Sequence, residues 1–277
     1  MKVAKNIKEL NIYRGNRQTI GFVPTMGTLH DGHFSLVKEA MLKTPKIVVS
    51  IFVNPTQFND KNDLKNYPRN THNDLSLLDQ ILREHDIVFI PDEKEIYPEP
   101  DTRTFDFGHL DKIMEGRNRP GHFNGVGQVV SKLFQIVKPT FAFFGEKDLQ
   151  QLAVIRKLVQ ILKIPVNIIG IPIVREAEGL AMSSRNKLLG KNERDEASKI
   201  FKALTEATRL KGIRTVAEVR EKTIIGLNKS HFLSVEYFEI VDSINLLPVN
   251  NWDANTGIFG CIAVKAGKIR LIDNIRF

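Results

Sequence analysis

The chain has 277 residues, 42% of them apolar, enough for one large or two modest cores without help from metals or disulfides. Forty Lys and Arg oppose 32 Asp and Glu for a net charge of +8, and the single cysteine, Cys261, excludes an internal disulfide framework or a cysteine-rich metal site. "MKVAKNIKEL" lacks the apolar centre of a signal peptide and no stretch approaches ~18 uncharged apolar residues, so a cytoplasmic protein with no export signal and no membrane span is expected.

Along the first two thirds, short apolar runs alternate with helical periodicity. "TIGFV" (residues 19–23) predicts a strand and "FSLVKEAMLK" (34–43) a helix. "KIVVSIFV" (46–53) is β-branched with almost no polar interruption, as a strand covered on both faces requires. "THNDLSLLDQILRE" (71–84) predicts a helix with Thr71 and Asp74 at N-cap and N3 spacing. A strand "DIVFI" (86–90), a helix "VGQVVSKLFQIV" (126–137), a strand "TFAFF" (140–144), a helix "LQQLAVIRKLVQIL" (149–162) and a strand "VNIIGIPIV" (166–174) follow. The alternation predicts an α/β fold: a Rossmann-like open parallel sheet with helices on both faces. After the Gly- and Ser-containing stretch 179–185 the pattern changes. Two amphipathic helices, 191–211 and 215–229, precede strand candidates at 234–242, 257–264 and 268–277, with "KAGK" as a hairpin turn. The expected division is a catalytic domain over 1–185 and a smaller α+β domain over 186–277.

"PTMGTLHDGH" (24–33) leaves the first strand candidate where an open α/β sheet places its ligands, beyond the carboxyl ends of its strands. Pro24 and Gly27 can shape a turn, Gly32 permits close approach, and Asp31 can cap orphan N–H groups. A helix start here would attract phosphate, and His30 and His33 on one face could both donate to it. Alone, the segment leaves phosphate binding, a plain turn and a two-histidine metal site open. Two later segments favour phosphate. In "FFGEKDLQQ", Gly145 leaves room for a nucleotide, Lys147 can meet phosphate charge and Asp148 can accept from a ribose hydroxyl. In "GLAMSSRN", Ser183, Ser184 and Arg185 offer directed donors. There is no P-loop, no GxGxxG fingerprint and no nucleophile elbow.

Taken in order, "PTMGTLHDGH", "SIFVNPTQF", "YPR", "RPGHFNGVGQVVSKLF", "FGEKDLQQL", "AMSSRN" and, near the C-terminus, "RLIDN" resemble the pantothenate synthetase (pantoate–β-alanine ligase) family. "HDGH" alone resembles the HIGH motif of the wider nucleotidyltransferase superfamily, and "MSSR" its KMSKS loop. The resemblance implies condensation of (R)-pantoate with β-alanine, driven by ATP through a pantoyl adenylate, to give (R)-pantothenate, AMP and diphosphate. It implies that Met26, Gly27, Thr28, Leu29, His30, Asp31, Gly32 and His33 line the ATP site, with His33 as proton donor and His30 assisting. Gly145, Glu146, Lys147, Asp148, Val174, Met182, Ser183, Ser184 and Arg185 would hold the rest of the nucleotide, Lys147 and Arg185 acting on the phosphates. Gln57 would bind pantoate and lie near β-alanine, and Gln151 would be the second pantoate ligand. Mg2+ would arrive with ATP, with no tightly bound metal site in the protein. The family pattern further implies a homodimer and a C-terminal domain acting as a mobile cover, with 179–185 as hinge and lid. Thr28 and Leu149 depart from the family's common residues without removing a catalytic group.

Two other readings compete. A relative that transfers adenylate onto a phosphate-bearing substrate would keep "HDGH" but have less reason for both Gln57 and Gln151. An RNA-binding reading rests on the charge, but residues 186–277 carry 15 basic and 11 acidic side chains, leaving the excess spread over both halves. No RNA module or stacked aromatic pattern accompanies it, so no nucleic-acid partner is expected.

Overall fold

Three of the apolar runs become neighbouring strands at the centre of a six-stranded parallel sheet. The structure is a computed structural model describing residues 1–15, 19–58, 64–65, 67–253 and 257–277. The strands are β1 (Lys2–Ala4), β2 (Ile20–Thr25), β3 (Lys46–Ile51), β4 (Ile87–Phe89), β5 (Phe141–Gly145) and β6 (Asn167–Ile171), in the order β1-β4-β3-β2-β5-β6. Every residue of β3 is buried, Lys46 and Ser50 included, as its almost uninterrupted apolar run predicted.

Side-chain alternation divides the two faces. Val23, Val49 and Phe143 share a core with Leu36, Val37 and Ala40 of the helix Asp31–Lys43 and Leu78 of the helix Thr71–Asp79. Phe134 of the helix His122–Val137 meets Phe22 and Phe144, at ring-centroid distances of 6.2 and 6.5 Å, both edge-on.

The path of the chain prepares a site. β2 pairs with β3 along its whole length, from Ile20–Lys46 to Thr25–Ile51. Its pairing with β5 covers only Gly21–Phe141 and Phe22–Ala142. From β2 the chain builds outward through β3 and β4, then returns to start again at β5 on the other side. The direction of winding therefore reverses between β2 and β5, where the carboxyl ends are not laddered to each other. Ligands of open α/β sheets bind at this switch point.

The C-terminal sheet is antiparallel, β7 (Leu233–Asp242), β8 (Ile258–Ala266) and β9 (Ile269–Arg276) in sequence order. Phe238 and Ile262 pack with Ile200 and Leu204 of the helix Lys199–Arg209 and Val219 and Leu227 of the helix Val216–Leu227. The chain divides into two compact units, Met1–Glu146 with Val154–Pro172, and Lys147–Ala153 with Ile173–Phe277. Residues 173–185, grouped by sequence with the first domain, lie in the second unit.

Several elements differ in extent from the sequence reading. β1 and the helix Ile7–Arg14 were not foreseen. The long helix expected over 191–211 is two, Lys191–Ala197 and Lys199–Arg209, parted at Ser198. The helix expected over 71–84 stops at Asp79. Its N-cap is Asn70, which accepts from the Asn73 N–H at 3.1 Å, so Asp74 is released from the capping box assigned to it.

Candidate active site

Asp74 is 1% exposed and serves the loop after β2 instead. Its carboxylate accepts the backbone N–H of Thr28 at 2.8 Å and of Leu29 at 2.8 Å. These bonds fix a turn in which Gly27 (φ 81°) and Thr28 (φ 53°) are both left-handed. A Cβ on Gly27 would stand 2.9 Å from Asp74 Oδ2, so the carboxylate and the glycine need each other. Thr28 adds a hydroxyl bond to the Pro68 carbonyl at 2.7 Å.

The turn delivers the chain into the helix Asp31–Lys43 with His30 as N-cap. Asp31, expected to cap, is exposed in the first turn, and the His30 side chain makes no cap bond either. First-turn N–H groups of a helix have no intrahelical acceptor and carry its positive dipole end. The His30 and His33 rings sit 4.1 Å apart beside this helix start, which the i, i+3 spacing predicted. Among the described residues no group of three or more His, Cys, Asp and Glu is placed to hold a metal.

A second segment of the same unit converges on this loop. Asn54, 1% exposed, accepts from the Thr56 N–H and from the Tyr97 hydroxyl, and donates to the Gly125 carbonyl at 3.2 Å. It opens a single turn, Pro55–Gln57, whose Gln57 side-chain amide donates to the Met26 thioether. His122 Nδ1–H donates to the Gln57 carbonyl at 2.8 Å, leaving Nε2 to accept from Arg119, 3.0 Å away. A Cβ at Gly125 would fall 2.3 Å from the Thr56 carbonyl oxygen, so the helix His122–Val137 touches this turn backbone to backbone. Burial pushes the Tyr97 phenol up to about 12, keeping it a donor to Asn54. A cavity of about 290 Å3 adjoins Met26, Gly27 and Phe52 and extends past Asp74 to Ile90.

β5 ends at Gly145, where an added Cβ would meet nothing within 4 Å, so the space above it is open. Glu146 follows in the first unit, whereas Lys147, Asp148 and Gln151 belong to the second. Lys147 Nζ lies 3.8 Å from Asp148 Oδ2. In the second unit Val174 and Met182 are paired across a tight hairpin, the Met182 N–H donating to the Val174 carbonyl at 3.0 Å. Ser183 then caps a 3-10 turn, Ser184–Leu188, accepting from the Arg185 N–H at 3.3 Å. The 179–185 stretch, read as a hinge, is thus tied by its own main chain. Burial raises the Asp273 carboxyl, and the Arg175 guanidinium beside it pulls it back.

A family model described as pantoate-beta-alanine ligase matches residues 2–276. The chain belongs to this ligase family. It is 50% identical over 281 residues to the pantothenate synthetase of Azobacteroides pseudotrichonymphae genomovar. CFP2, covering 100% of both chains. It is 50% identical over 264 residues to that of Porphyromonas gingivalis, covering 95% of this chain and 93% of the relative. Among solved structures, pantothenate synthetase from Thermus thermophilus matches with a TM-score of 0.92 at 40% identity over 99% of each chain. The pantoate-beta-alanine ligase of Francisella tularensis, complexed with beta-gamma ATP and beta-alanine, matches with a TM-score of 0.82 at 38% identity, over 100% of this chain and 97% of that one. The sequence reading gave no part to the residues that hold these segments in place. By spacing Asp74 stands at N3 of a helix capped by Thr71; Asn54 and His122 lie inside the quoted motifs without an assigned part. A histidine directly after Pro-Gly and shortly before another glycine, in "PGHFNG", was the available signal for His122.

Proposed function

We propose that this ligase works with the residues its sequence singled out, each in the place described above. The reaction is the ATP-dependent ligation of pantoate and β-alanine to pantothenate through an adenylate. Pantoate supplies its own nucleophile. Its carboxylate attacks the α-phosphorus of ATP, an oxygen–phosphorus bond forms, and diphosphate leaves with the electron pair of the broken bond. The β-alanine amine then attacks the carbonyl of the mixed anhydride, loses a proton, and AMP departs. The first step needs positioning and donors for the charge on diphosphate more than a strong base.

His30 and His33, adjacent at a helix start, are assigned to the phosphates, with His33 as proton donor. Met26–Leu29, Asp31, Gly32, Gly145 and Glu146 are assigned to the nucleotide, as are Lys147, Asp148, Val174 and Met182–Arg185. Lys147 and Arg185 carry the positive charge for the leaving group. Gln57 and Gln151 are assigned to pantoate, Gln57 also meeting β-alanine, because an amide both donates and accepts as a hydroxy acid requires. Mg2+ enters with ATP as its counter-ion. We place the enzyme in the cytoplasm as a homodimer; no helix among the described residues is long and apolar enough to cross a membrane.

The observation that carries this reading is the Asp74-held loop, which sets a paired-histidine helix start at the switch point of the sheet. The test is isotope exchange between labelled diphosphate and ATP. It should require pantoate and proceed without β-alanine. Normal overall turnover with no pantoate-dependent exchange would overturn the adenylate route.

A further inference from the structure

"RLIDN" marks β9, and the chemistry above gives it nothing to do. Its last two residues are nearly inaccessible, Asp273 at 6% and Asn274 at 5% exposure. The ladder to β8 pairs Asp273 with Ile262 and Asn274 with Cys261 and does not involve their side chains. Instead the Asn274 amide donates to the main-chain carbonyl of Lys147 at 3.1 Å, 127 residues earlier. The Asp273 carboxylate takes both arms of the Arg175 guanidinium, Nη1 at 2.6 Å and Nη2 at 2.9 Å. Arg175 directs further donors to the Gly179 carbonyl at 3.1 Å and the Asn274 carbonyl at 3.2 Å, and its guanidinium lies 3.8 Å over the Phe201 ring.

Arg175 and Gly179 belong to the hairpin that carries Val174 and Met182. Its arms are joined by Glu176 N–H to the Leu180 carbonyl at 2.9 Å and Met182 N–H to the Val174 carbonyl at 3.0 Å. The turn uses Gly179 at φ 96°, and a Cβ there would meet Phe201 at 2.8 Å. Asn186 closes the far end, its amide donating to the Ala181 carbonyl at 3.1 Å and to Glu176 at 2.7 Å. Within this unit, then, one buried pair on β9 reaches the Lys147 turn through an amide and the 174–185 hairpin through an arginine. The Lys147 turn is gripped at its carbonyl and the hairpin at the Gly179 carbonyl, so neither grip runs through the Lys147 ammonium or the side chains of 182–185.

We infer that Asn274, braced by Asp273 and Arg175, is a positioning residue for the adenylation half-reaction, setting the main chain of Lys147 relative to the hairpin that bears Met182–Arg185. The inference rests on the assignment of Lys147 to the phosphates of ATP. Asn274 touches no substrate. Its effect belongs to the step in which diphosphate leaves, and the attack of β-alanine on a finished adenylate does not depend on it.

The experiment compares Asn274→Ala, Asn274→Asp, Lys147→Ala and the double variant Lys147→Ala/Asn274→Ala in the full-length enzyme. Three quantities are read: pantoate-dependent exchange as a function of ATP, aminolysis of preformed pantoyl adenylate by β-alanine, and Tm. Asn274→Asp keeps the shape and removes the donor. Both single Asn274 variants should lose roughly ten- to a hundred-fold in exchange kcat/KM for ATP, the scale of a small misplacement of a reacting group, with aminolysis within about twofold of wild type. On the Lys147→Ala background the Asn274 change should cost less than about twofold more, because the residue through which it acts is gone. Unchanged exchange in either folded variant, equal loss of both half-reactions, or fully multiplied losses in the double variant would each overturn the inference. So would failure of both Asn274 variants to fold, which assigns the residue to folding alone. Normal exchange by Lys147→Ala would instead overturn the ATP assignment of Lys147 itself.

Discussion

Replacing Asp74 by Asn tests whether one buried carboxylate holds the loop after β2. The substitution keeps shape and burial, but only one oxygen remains to accept. One of the N–H groups of Thr28 and Leu29, each now 2.8 Å from a carboxylate oxygen, would face an NH2. A hydrogen bond to a charged group contributes about 1.5–3 kcal/mol, and a buried donor left without a partner costs about 1–3 kcal/mol. A net loss of about 2–4 kcal/mol corresponds to a fall in Tm of roughly 4–16 °C for a domain of this size. A catalytic effect should accompany the loss of stability. Thr28 holds φ 53° against its preference, and a relaxed turn would shift His30 and the first turn of its helix. Diphosphate exchange, measured well below the variant's Tm, should drop at least ten-fold, whereas Asn70→Ala, which removes only a helix cap, should leave exchange per folded molecule unchanged. An Asp74→Asn enzyme with wild-type exchange and wild-type Tm would refute the reasoning, since neither the loop nor the fold would then depend on the two bonds.

Gln57→Ala should weaken pantoate binding by about 1–3 kcal/mol in calorimetry and leave ATP affinity near normal; the reverse pattern would remove Gln57 from the pantoate site. Gly125→Ala drives a Cβ to 2.3 Å from the Thr56 carbonyl and 2.8 Å from Gln57 Cα, so it should cost about 1–3 kcal/mol of stability and raise the KM for pantoate more than that for ATP. His33→Ala should depress single-turnover formation of pantoyl adenylate by more than His30→Ala, with both variants retaining wild-type circular dichroism. For Tyr97 the folded pKa of about 12 lies above the ordinary 10.0. Its contribution is therefore complete below pH 10 and is lost as pH rises toward 12. Denaturant titrations between those values should show wild type losing more stability than Tyr97→Phe.

What the sequence made legible follows from range. β3 is plain because a β-branched run with almost no polar interruption has few alternatives, and the helix Asp31–Lys43 because its periodicity and its start signal agree. β1 is three residues long, too short for any period to register. The three-residue spacing of Asp74 from Thr71 satisfies a local rule, while its true partners lie 46 and 45 residues away along the chain. Local rules compete with tertiary contacts, and a buried carboxylate facing two N–H donors outweighs a solvent-exposed cap. Ser198 carries no helix-breaking residue type, so nothing in composition divides 191–211.

The same logic explains how motif residues and their supports differ. Asp74 binds the N–H groups of Thr28 and Leu29, His122 binds the carbonyl of Gln57, and Asn274 binds the carbonyl of Lys147. Each support is a polar side chain almost shut off from solvent, and each grips a loop by its main chain. A loop held through its side chains would have those groups already engaged when substrate arrived. Held through its backbone, a loop does not spend its side chains on its own support, and rigid placement is what lets donors act on developing charge without reorganising. The supports are costly to leave half-made, because a buried donor or acceptor without its partner destabilises the fold. A motif read from sequence therefore names candidate groups, while the residues that hold their loops become visible only when segments separated by tens of positions are brought together.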